Sequence, residues 1–532
     1  MNAPPPPPAG PRSAPEARGP LGRLPWVTLG LALVQLVIYL RTAAAGPLDV
    51  DAMVRFGAKV GPLITEAGEP WRLLTANFLH RDGAHLGLNL LVLVAVGSVL
   101  ESTWRRLEYG ALLVAAGLST MTCSLLWAEE VSVGASGVAY GCVGALIVLG
   151  RRYRAVLSPL ARRMAGEGVL PTVLVFLWIG WTSVGVDNAG HLGGFASGLL
   201  VGLFVVPERL TASEPRSAGL LRAGSVVAVA GILAGLGVLG RSTWRVERDD
   251  AFGVSVAMPA SWRQGADRLG RLAFSNGLPG LGRASFVAEA IQAGEPGDGG
   301  LQAVHFQETA LSPEAAAPEG RPMKVRGPQP AWVSGRRAQE VQAELHGAEG
   351  VTHLRALFVP RGEFVYQLVF TWPGSFPRYA RVVDRMVAEL RLEEPSMLRE
   401  ARARALLVPG ASEPLAQLGS ALRRWGRQEE AVEPLREALR LAPSQVATRV
   451  ELARALFESG HVEEGCHAAE EARVYGPSET AALEAGVRCE LARGNTEQAL
   501  LRLEEARRVD PQDPRLRAAE AALRATVKAG GR

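Results

Sequence analysis

Apolar residues are concentrated before residue 240, in seven runs that predict a polytopic α-helical membrane domain. The runs cover residues 26–40, 86–100, 109–128, 136–149, 169–181, 189–206 and 218–239. Several are shorter than the ~20 residues that a helix needs to span a bilayer. A short helix surrounded by longer ones begins below the membrane surface, in a protein-lined cavity that water can fill. The fourth run, which begins at Ser136, is of this kind.

Arginine residues in the loops predict how the runs are oriented. Arginines follow the second, fourth and sixth runs, whereas Glu129-Glu130 and Asp187 follow the third and fifth. Basic loops face the cytoplasm, so we expect the N-terminus inside and, after seven spans, the C-terminal portion outside. The fourth and sixth runs then both begin at the outer face. We expect a multi-pass protein of a plasma membrane, of the bacterial inner-membrane type.

The remaining pattern divides the chain into further regions. Residues 1–23 are rich in proline and predict a disordered tail; residues 24–210 form the membrane core, and 211–240 an additional transmembrane helix. Alternating apolar and polar residues at 252–259, 285–291 and 354–360 predict strands. A turn at Arg361-Gly362 predicts a hairpin with 364–372, and apolar residues at helical spacing follow from Tyr379. Residues 241–398 therefore predict a small soluble α+β domain, with some resemblance to PsbP-like modules.

A repeat of 34 residues occupies the region that we assign to residues 399–532. Gly426, Gly460 and Gly494 recur in register, as do alanines at 438, 472 and 506 and prolines at 443, 477 and 511. The segment resembles tetratricopeptide repeats, in which each helix pair needs neighbours to bury its apolar face. The resemblance implies an α-helical solenoid with a protein or peptide ligand; a spacer or oligomerisation element is the alternative.

Composition and charge narrow the class of protein. A hydrophobic content of 48% is too high for an ordinary soluble chain of 532 residues, and a net charge of +4 gives no case for nucleic acid binding. The four cysteines show no paired spacing, so neither a disulfide framework nor a zinc site is indicated. We expect no metal and no cofactor.

Candidate chemistry lies at the start of the fourth run, in Gly134-Ala135-Ser136-Gly137. Glycines on each side of Ser136 would let a substrate backbone approach its hydroxyl, and backbone N–H groups at a helix start can face an oxyanion. His191, in the sixth run, is a candidate base because polar groups in membrane helices are costly and usually functional. The alternative is that these small residues are only a helix-packing face.

His85 and Asn89 are one helical turn apart at the start of the second run, where both can donate to one anion. A helix cap is the alternative for His85. Trp71-Arg72, in the segment before them, suits the membrane–water interface.

Taken in order, these motifs resemble the rhomboid intramembrane serine proteases. The resemblance covers most of residues 70–200 and rests on motifs that occur in this order along the chain: Trp71-Arg72, His85-x-x-x-Asn89, Gly97-x-x-x-Glu101, Gly134-Ala135-Ser136-Gly137 with Tyr140, and Ala189-Gly190-His191-x-Gly193-Gly194. It implies a six-helix core, here with a seventh span.

The resemblance also implies a role for each motif. Ser136 would be the nucleophile and His191 the base, with Tyr140 packed against the imidazole. His85, Asn89 and the Ser136 N–H would form the oxyanion hole. Asp187 could be a third catalytic member, but we expect Asp187 or Asn188 to cap the sixth helix instead.

The sequence therefore predicts an intramembrane serine endopeptidase that cleaves membrane-spanning helices near the outer face. Its expected partners are membrane protein substrates, the lipid bilayer and a ligand of the repeats. The rival hypothesis is a non-catalytic rhomboid-like scaffold that binds transmembrane helices and displays its repeats. A membrane metalloprotease is a more distant alternative, because His80 and His85 come without a glutamate-containing zinc motif.

Overall fold

A computed structural model of the chain describes most of the sequence. The described residues are 24–128, 130–157, 186–207, 243–265, 272–277, 283–293, 299–311, 324–347 and 350–513, with isolated residues between 162 and 180 and short stretches between 515 and 524. The predicted tail at 1–23, most of the fifth apolar run and the whole seventh run lie outside the described residues.

The N-terminal half of the described chain is helical. In chain order its helices are α1 (Trp26–Ala44), α2 (Val50–Phe56), α3 (Gly61–Thr65), α4 (Arg72–Thr75), α5 (Gly83–Thr103), α6 (Arg106–Trp127), α7 (Ser136–Arg152) and α8 (Asn188–Phe204). Among the described residues, α1, α5 and α6 are long and apolar enough to cross a membrane. Helices α7 and α8 have 17 residues each. Several apolar runs thus form helices as predicted, while the number of spans stays a prediction.

Helices α7 and α8 contact each other backbone to backbone. A Cβ added to Gly198 on α8 would overlap the carbonyl of Gly141 on α7, and one on Gly144 would lie 2.5 Å from the carbonyl oxygen of Phe195. Membrane helices associate through close packing of this kind, because the hydrophobic effect does not drive apolar side chains out of lipid. The glycines therefore fix the separation between the two helices that carry Ser136 and His191.

Residues 45–82, between α1 and α5, form what we call the connecting segment, which contains α2, α3 and α4. Its centre is Arg72, which is 4% exposed. The Arg72 guanidinium lies 2.5 Å from Glu69 and donates to the carbonyls of Val54 (2.7 Å) and Ala58 (3.0 Å). Arg72 is thus buried within the protein, whereas Trp71 is 40% exposed, and the interface position of this pair stays a prediction.

The α+β region contains two antiparallel sheets. Its strands are β1 (Trp244–Asp249), β2 (Val254–Pro259), β3 (Arg263–Gln264), β4 (Leu272–Gly277), β5 (Arg283–Gln292), β6 (Lys324–Val333), β7 (Arg336–Gly347), β8 (Gly350–Arg361), β9 (Phe364–Pro373) and β10 (Arg391–Leu392). The sheet orders are β1-β2-β10 and β3-β4-β5-β9-β8-β7-β6. Helices α9 (Gly300–Thr309) and α10 (Ala380–Glu389) complete the region. The predicted hairpin is confirmed, since Arg361 pairs with Phe364 across a two-residue turn.

The C-terminal region is a series of antiparallel helix pairs. Its helices are α11 (Ser396–Leu407), α12 (Ser412–Arg424), α13 (Gln428–Leu441), α14 (Val446–Glu458), α15 (Val462–Tyr475), α16 (Thr480–Ala492) and α17 (Thr496–Val509). Gly426, Gly460 and Gly494 have φ of +75°, +84° and +79°. They occupy the turns inside successive pairs, where a left-handed backbone favours glycine.

The expectation of unpaired cysteines is wrong for two of the four. Cys466 on α15 and Cys489 on α16 form a disulfide, whereas Cys123 and Cys142 in the membrane helices are free. The spacing of 23 residues matches no familiar motif, but the turn between α15 and α16 brings the two side chains face to face.

Candidate active site

Ser136 is the first residue of α7, and the turn before it is fixed by its backbone. Gly134 has φ +120°, a conformation that side-chain-bearing residues rarely adopt. Its N–H donates to the carbonyl of Ala76 at 2.9 Å, which ties the turn to the connecting segment. No side chain caps the start of α7 among the described residues. The first backbone N–H groups of α7 are therefore open to a ligand.

His191 lies in the first turn of α8, facing Ser136. Its Nε2 is 2.7 Å from the Ser136 Oγ, and the Tyr140 ring stacks on the imidazole with centroids 4.6 Å apart and planes at 24°. The stacking restrains the imidazole so that Nε2 stays directed at the hydroxyl. Nδ1 is buried and has no hydrogen-bond partner among the described residues.

Asp187 caps α8 and does not contact His191 Nδ1. One carboxylate oxygen accepts the N–H of Gly190 at 2.8 Å, and the other accepts the Ser132 hydroxyl at 2.6 Å. This agrees with the expected cap. The described residues therefore offer a serine–histidine pair whose histidine is positioned by packing and by the cap of its helix.

His85 and Asn89 lie on α5 on the other side of Ser136. The cap of α5 is Asp82, whose carboxylate accepts the backbone N–H of His85 at 2.7 Å, so the His85 ring is not needed as a cap. A Cβ added to Gly134 would lie 2.9 Å from His85 Nε2 and 3.5 Å from Asn89 Nδ2. Asn89 Nδ2 is buried without a partner among the described residues. A buried donor without a protein partner usually hydrogen-bonds to a ligand or to water.

These side chains line one cavity of about 1100 Å³. Ser136, His191, His85, Asn89 and Tyr140 are among its polar lining residues. Apolar side chains of α5 form much of the remaining wall: Leu88, Leu91, Val92, Ala95 and Val96. A cavity with one polar end and an apolar wall can bind an apolar chain while exposing one of its carbonyls to the hydroxyl.

Gly134 also lines this cavity, whereas the other predicted site residues do not. Gly137 faces Thr120 on α6 and permits close packing there. The Glu101 carboxylate accepts from the N–H of Val27, and from the N–H and hydroxyl of Thr28, at 2.8–2.9 Å. Glu101 thus holds the start of α1.

Trp71 and Arg72 belong to the connecting segment and also lie away from the cavity. The Arg72 guanidinium lies over the Trp71 ring, 4.7 Å from its centroid. These two residues therefore organise the segment that leads to α5.

Sequence reasoning missed Ser132 and Lys59. Ser132 lines the cavity and holds Asp187. Lys59 has no exposed surface, and its Nζ donates to the carbonyls of Ala128 and Glu130 at 2.7 Å each. Burial lowers the pKa of Lys59 to about 8, although the nearby carboxylates of Asp187 and Glu130 act in the opposite direction. Neither residue lies in a motif, and only the fold brings them to the site.

Comparison with known proteins gives a family for this part of the chain. Residues 67–208 match the rhomboid domain. The chain is 33% identical over 177 residues to rhomboid protease GluP of Bacillus subtilis (strain 168), covering 33% of this chain and 34% of that protein. It is 27% identical over 223 residues to rhomboid protease AarA of Providencia stuartii, covering 37% and 78%. The chain therefore spans only about a third of the length of GluP.

One solved structure with which the chain shares similarity is described as YrrB, a TPR protein with an unusual peptide-binding site. It is 16% identical, covers 28% of this chain and 73% of that one, and has a TM-score of 0.22. A score this low supports no conclusion about the present fold.

Proposed function

Because this chain contains a rhomboid domain and is homologous to rhomboid proteases, we propose that it is an intramembrane serine endopeptidase that uses Ser136 and His191. The observation that carries the proposal is the 2.7 Å contact between the Ser136 Oγ and the His191 Nε2, inside a cavity enclosed by apolar helices. A hydroxyl and an imidazole at hydrogen-bond distance are the minimum for nucleophilic acyl transfer.

The reaction follows from this placement. His191 Nε2 accepts the Ser136 proton as the Oγ attacks a peptide carbonyl, and the resulting imidazolium donates that proton to the leaving amine as the tetrahedral intermediate collapses to the acyl-enzyme. Water, activated by His191, hydrolyses the acyl-enzyme. The developing oxyanion is stabilised by the Ser136 N–H together with the His85 ring and the Asn89 amide, whose donors face the turn before α7.

The substrate class is a membrane-spanning helix that unwinds near the outer face. The apolar wall from α5 suits an apolar segment, and only an unwound backbone exposes its carbonyl to Ser136. Residues of low helix propensity at the cleavage position would favour unwinding.

Replacing the nucleophile tests the proposal. We expect Ser136→Ala to abolish cleavage of a model transmembrane substrate in liposomes and to abolish labelling by a fluorophosphonate. Ser197→Ala, at a buried hydroxyl of α8 that donates to the Gly194 carbonyl, is the matched control and should label normally. Labelling absent from the folded wild-type chain would favour the scaffold hypothesis instead.

We also propose that the α+β and repeat regions lie outside the cytoplasm, on the side where the cavity opens. The α+β region contacts the connecting segment between α1 and α5, through hydrogen bonds to Glu66. The disulfide Cys466–Cys489 suits an oxidising compartment. With the N-terminus inside, this placement requires one more crossing between α8 and β1, for which the run at 218–239 is the candidate. Modification of introduced surface cysteines by a membrane-impermeant maleimide would test the side.

The repeat region would bind a protein or peptide and so recruit or orient partners. A groove of about 570 Å³ supports this role. Helices α11, α12 and α14 line it with mixed polar and small side chains, including Gln417, Ser420 and Thr448.

A further inference from the structure

The α+β region contacts the connecting segment through hydrogen bonds to a buried carboxylate. Glu66, at the end of α3, is 7% exposed. It accepts hydrogen bonds from Trp262 Nε1 (3.2 Å), Asn276 Nδ2 (3.3 Å), and the hydroxyls of Ser261 and Tyr379. Burial raises the pKa of the Glu66 carboxyl, although its four donors act in the opposite direction. Four donors occupy the acceptor sites of one carboxylate. This set of hydrogen bonds therefore forms only when the α+β region is docked on the connecting segment.

A second contact leads from the α+β region towards Lys59. Arg378 lies 3.4 Å from Glu69, which is paired with Arg72 at 2.5 Å. Arg72 in turn donates to the carbonyl of Ala58, the residue before Lys59. Apolar side chains on either side of Lys59 share one buried cluster with the α+β region: Val54, Val60 and Leu63 pack with Val256, Met258, Trp262 and Phe376.

Lys59 connects this docked segment to the turn between α6 and α7. Its backbone pairs with Ser132 in both directions, at 3.0 and 3.2 Å, and its Nζ donates to the carbonyls of Ala128 and Glu130 at 2.7 Å. These two hydrogen bonds from the charged group of Lys59 hold the backbone that precedes Ser136. Burying a charged lysine costs free energy unless its hydrogen bonds offset the loss of water.

The same turn reaches both candidate catalytic residues. The Ser132 hydroxyl donates to Asp187 at 2.6 Å, and Asp187 caps the helix in which His191 stands four residues later. Gly134, two residues before Ser136, donates to Ala76 of the connecting segment at 2.9 Å. A shift of the turn would therefore move Ser136 and His191 relative to each other.

We propose that Lys59 is a positioning residue for the Ser136–His191 pair, and that the α+β region keeps Lys59 in place through Glu66 and Glu69. The inference rests on the proposed protease function. A displacement of about 1 Å in such a pair can cost roughly 10²-fold in rate, so hydrogen bonds remote from the chemistry can control turnover.

Kinetics of the full-length chain in liposomes test the role of Lys59. We expect Lys59→Met, which keeps the length of the side chain and removes its donors, to lower kcat by about 10- to 100-fold. KM should change little, because Lys59 does not line the cavity. Fluorophosphonate labelling of Ser136 should slow by the same factor. Lys59→Gln, which restores an N–H donor, should recover part of the rate, and Lys324→Met, at an exposed lysine, should match the wild type.

Wild-type turnover and labelling in Lys59→Met would overturn the proposal. If that variant does not accumulate in the membrane, Ser132→Ala tests the same connection through Asp187, and unchanged labelling would overturn it equally. Failure of the protease proposal is distinguishable, because Ser136 of the wild type would then not label at all.

A double-mutant cycle tests the part played by the α+β region. Glu66→Gln places an amide donor among four donors and should slow fluorophosphonate labelling by up to about tenfold. This effect should vanish when Lys59 is already replaced by Met, because the effects of residues that act in series are not additive. Glu433→Gln, at an exposed carboxylate of α13, is the control. Fully additive effects of the Glu66 and Lys59 changes would contradict the connection.

Discussion

The membrane helices and the C-terminal repeats both bury polar side chains, but they treat them differently. In the rhomboid domain the buried His191 Nδ1 and Asn89 Nδ2 have no partner among the described residues. In the repeats, buried Arg423 contacts Glu363, Glu451 and Glu458 at 2.8–2.9 Å. Because an unpaired buried polar group costs free energy, it persists where function requires it. At the candidate site, the unpaired groups are therefore available to a ligand, whereas the Arg423 cluster is satisfied within the scaffold.

The largest effect on stability is expected at Arg423. Arg423→Met would remove the cation that Glu363, Glu451 and Glu458 share, and should lower the free energy of unfolding of the repeats by about 3–5 kcal/mol. Pulse proteolysis of the full-length chain in urea measures this. Arg436→Met, at an exposed ion pair, should cost less than about 1 kcal/mol; equal effects of the two changes would contradict the distinction between buried and exposed pairs.

The opposite pattern, a loss of rate without a loss of stability, is expected at Asn89. Asn89→Ala should lower kcat by about 10²–10³ by removing an oxyanion donor, while leaving the thermal stability of the membrane domain unchanged or higher. Ser102→Ala, near the other end of the same helix, is the control for kcat. A loss of stability without a loss of rate would show that Asn89 belongs to the scaffold.

The disulfide adds a covalent constraint that the membrane helices lack. Replacing Cys466 and Cys489 together by serine opens a loop with a sequence separation of 23 residues, and should cost about 3 kcal/mol of repeat stability. Reductant should lower the melting temperature of the wild type and leave the double variant unaffected. Insensitivity of the wild type to reductant would contradict the presence of the bond.

Lys59 provides the most specific test. Its folded pKa of about 8 lies below the ordinary 10.5, so between these pH values the unfolded chain binds a proton that the folded chain does not. The contribution of Lys59 to the free energy of unfolding therefore rises with pH across this window, by at most about 1.4 kcal/mol per unit. Wild type and Lys324→Met should show this rise relative to Lys59→Met; parallel pH profiles would contradict the shift.

Much of the candidate site follows from local sequence. Ser136, His191 and His85 each lie near the start of an apolar helix, beside small residues or a cap, and Asn89 follows His85 by one helical turn. All four line one cavity. Glu101 shares the same motifs but contacts the start of α1, because a motif conveys spacing along a helix and not the helix that it faces. The contacts of Arg72 do not follow from its motif for the same reason, since its partners Val54 and Ala58 lie in earlier turns of the chain.

The sequence by itself determined the order of the elements, because hydrophobic period, glycine turns and helix caps act over a few residues. The tertiary structure decided which distant groups meet: Glu66 with Tyr379, Lys59 with the turn before Ser136, and Cys466 with Cys489. Contacts of this kind depend on how whole elements pack, since a buried charge or thiol takes the partner that the fold supplies. The hydrophobic periodicity of the sequence therefore does not predict these contacts.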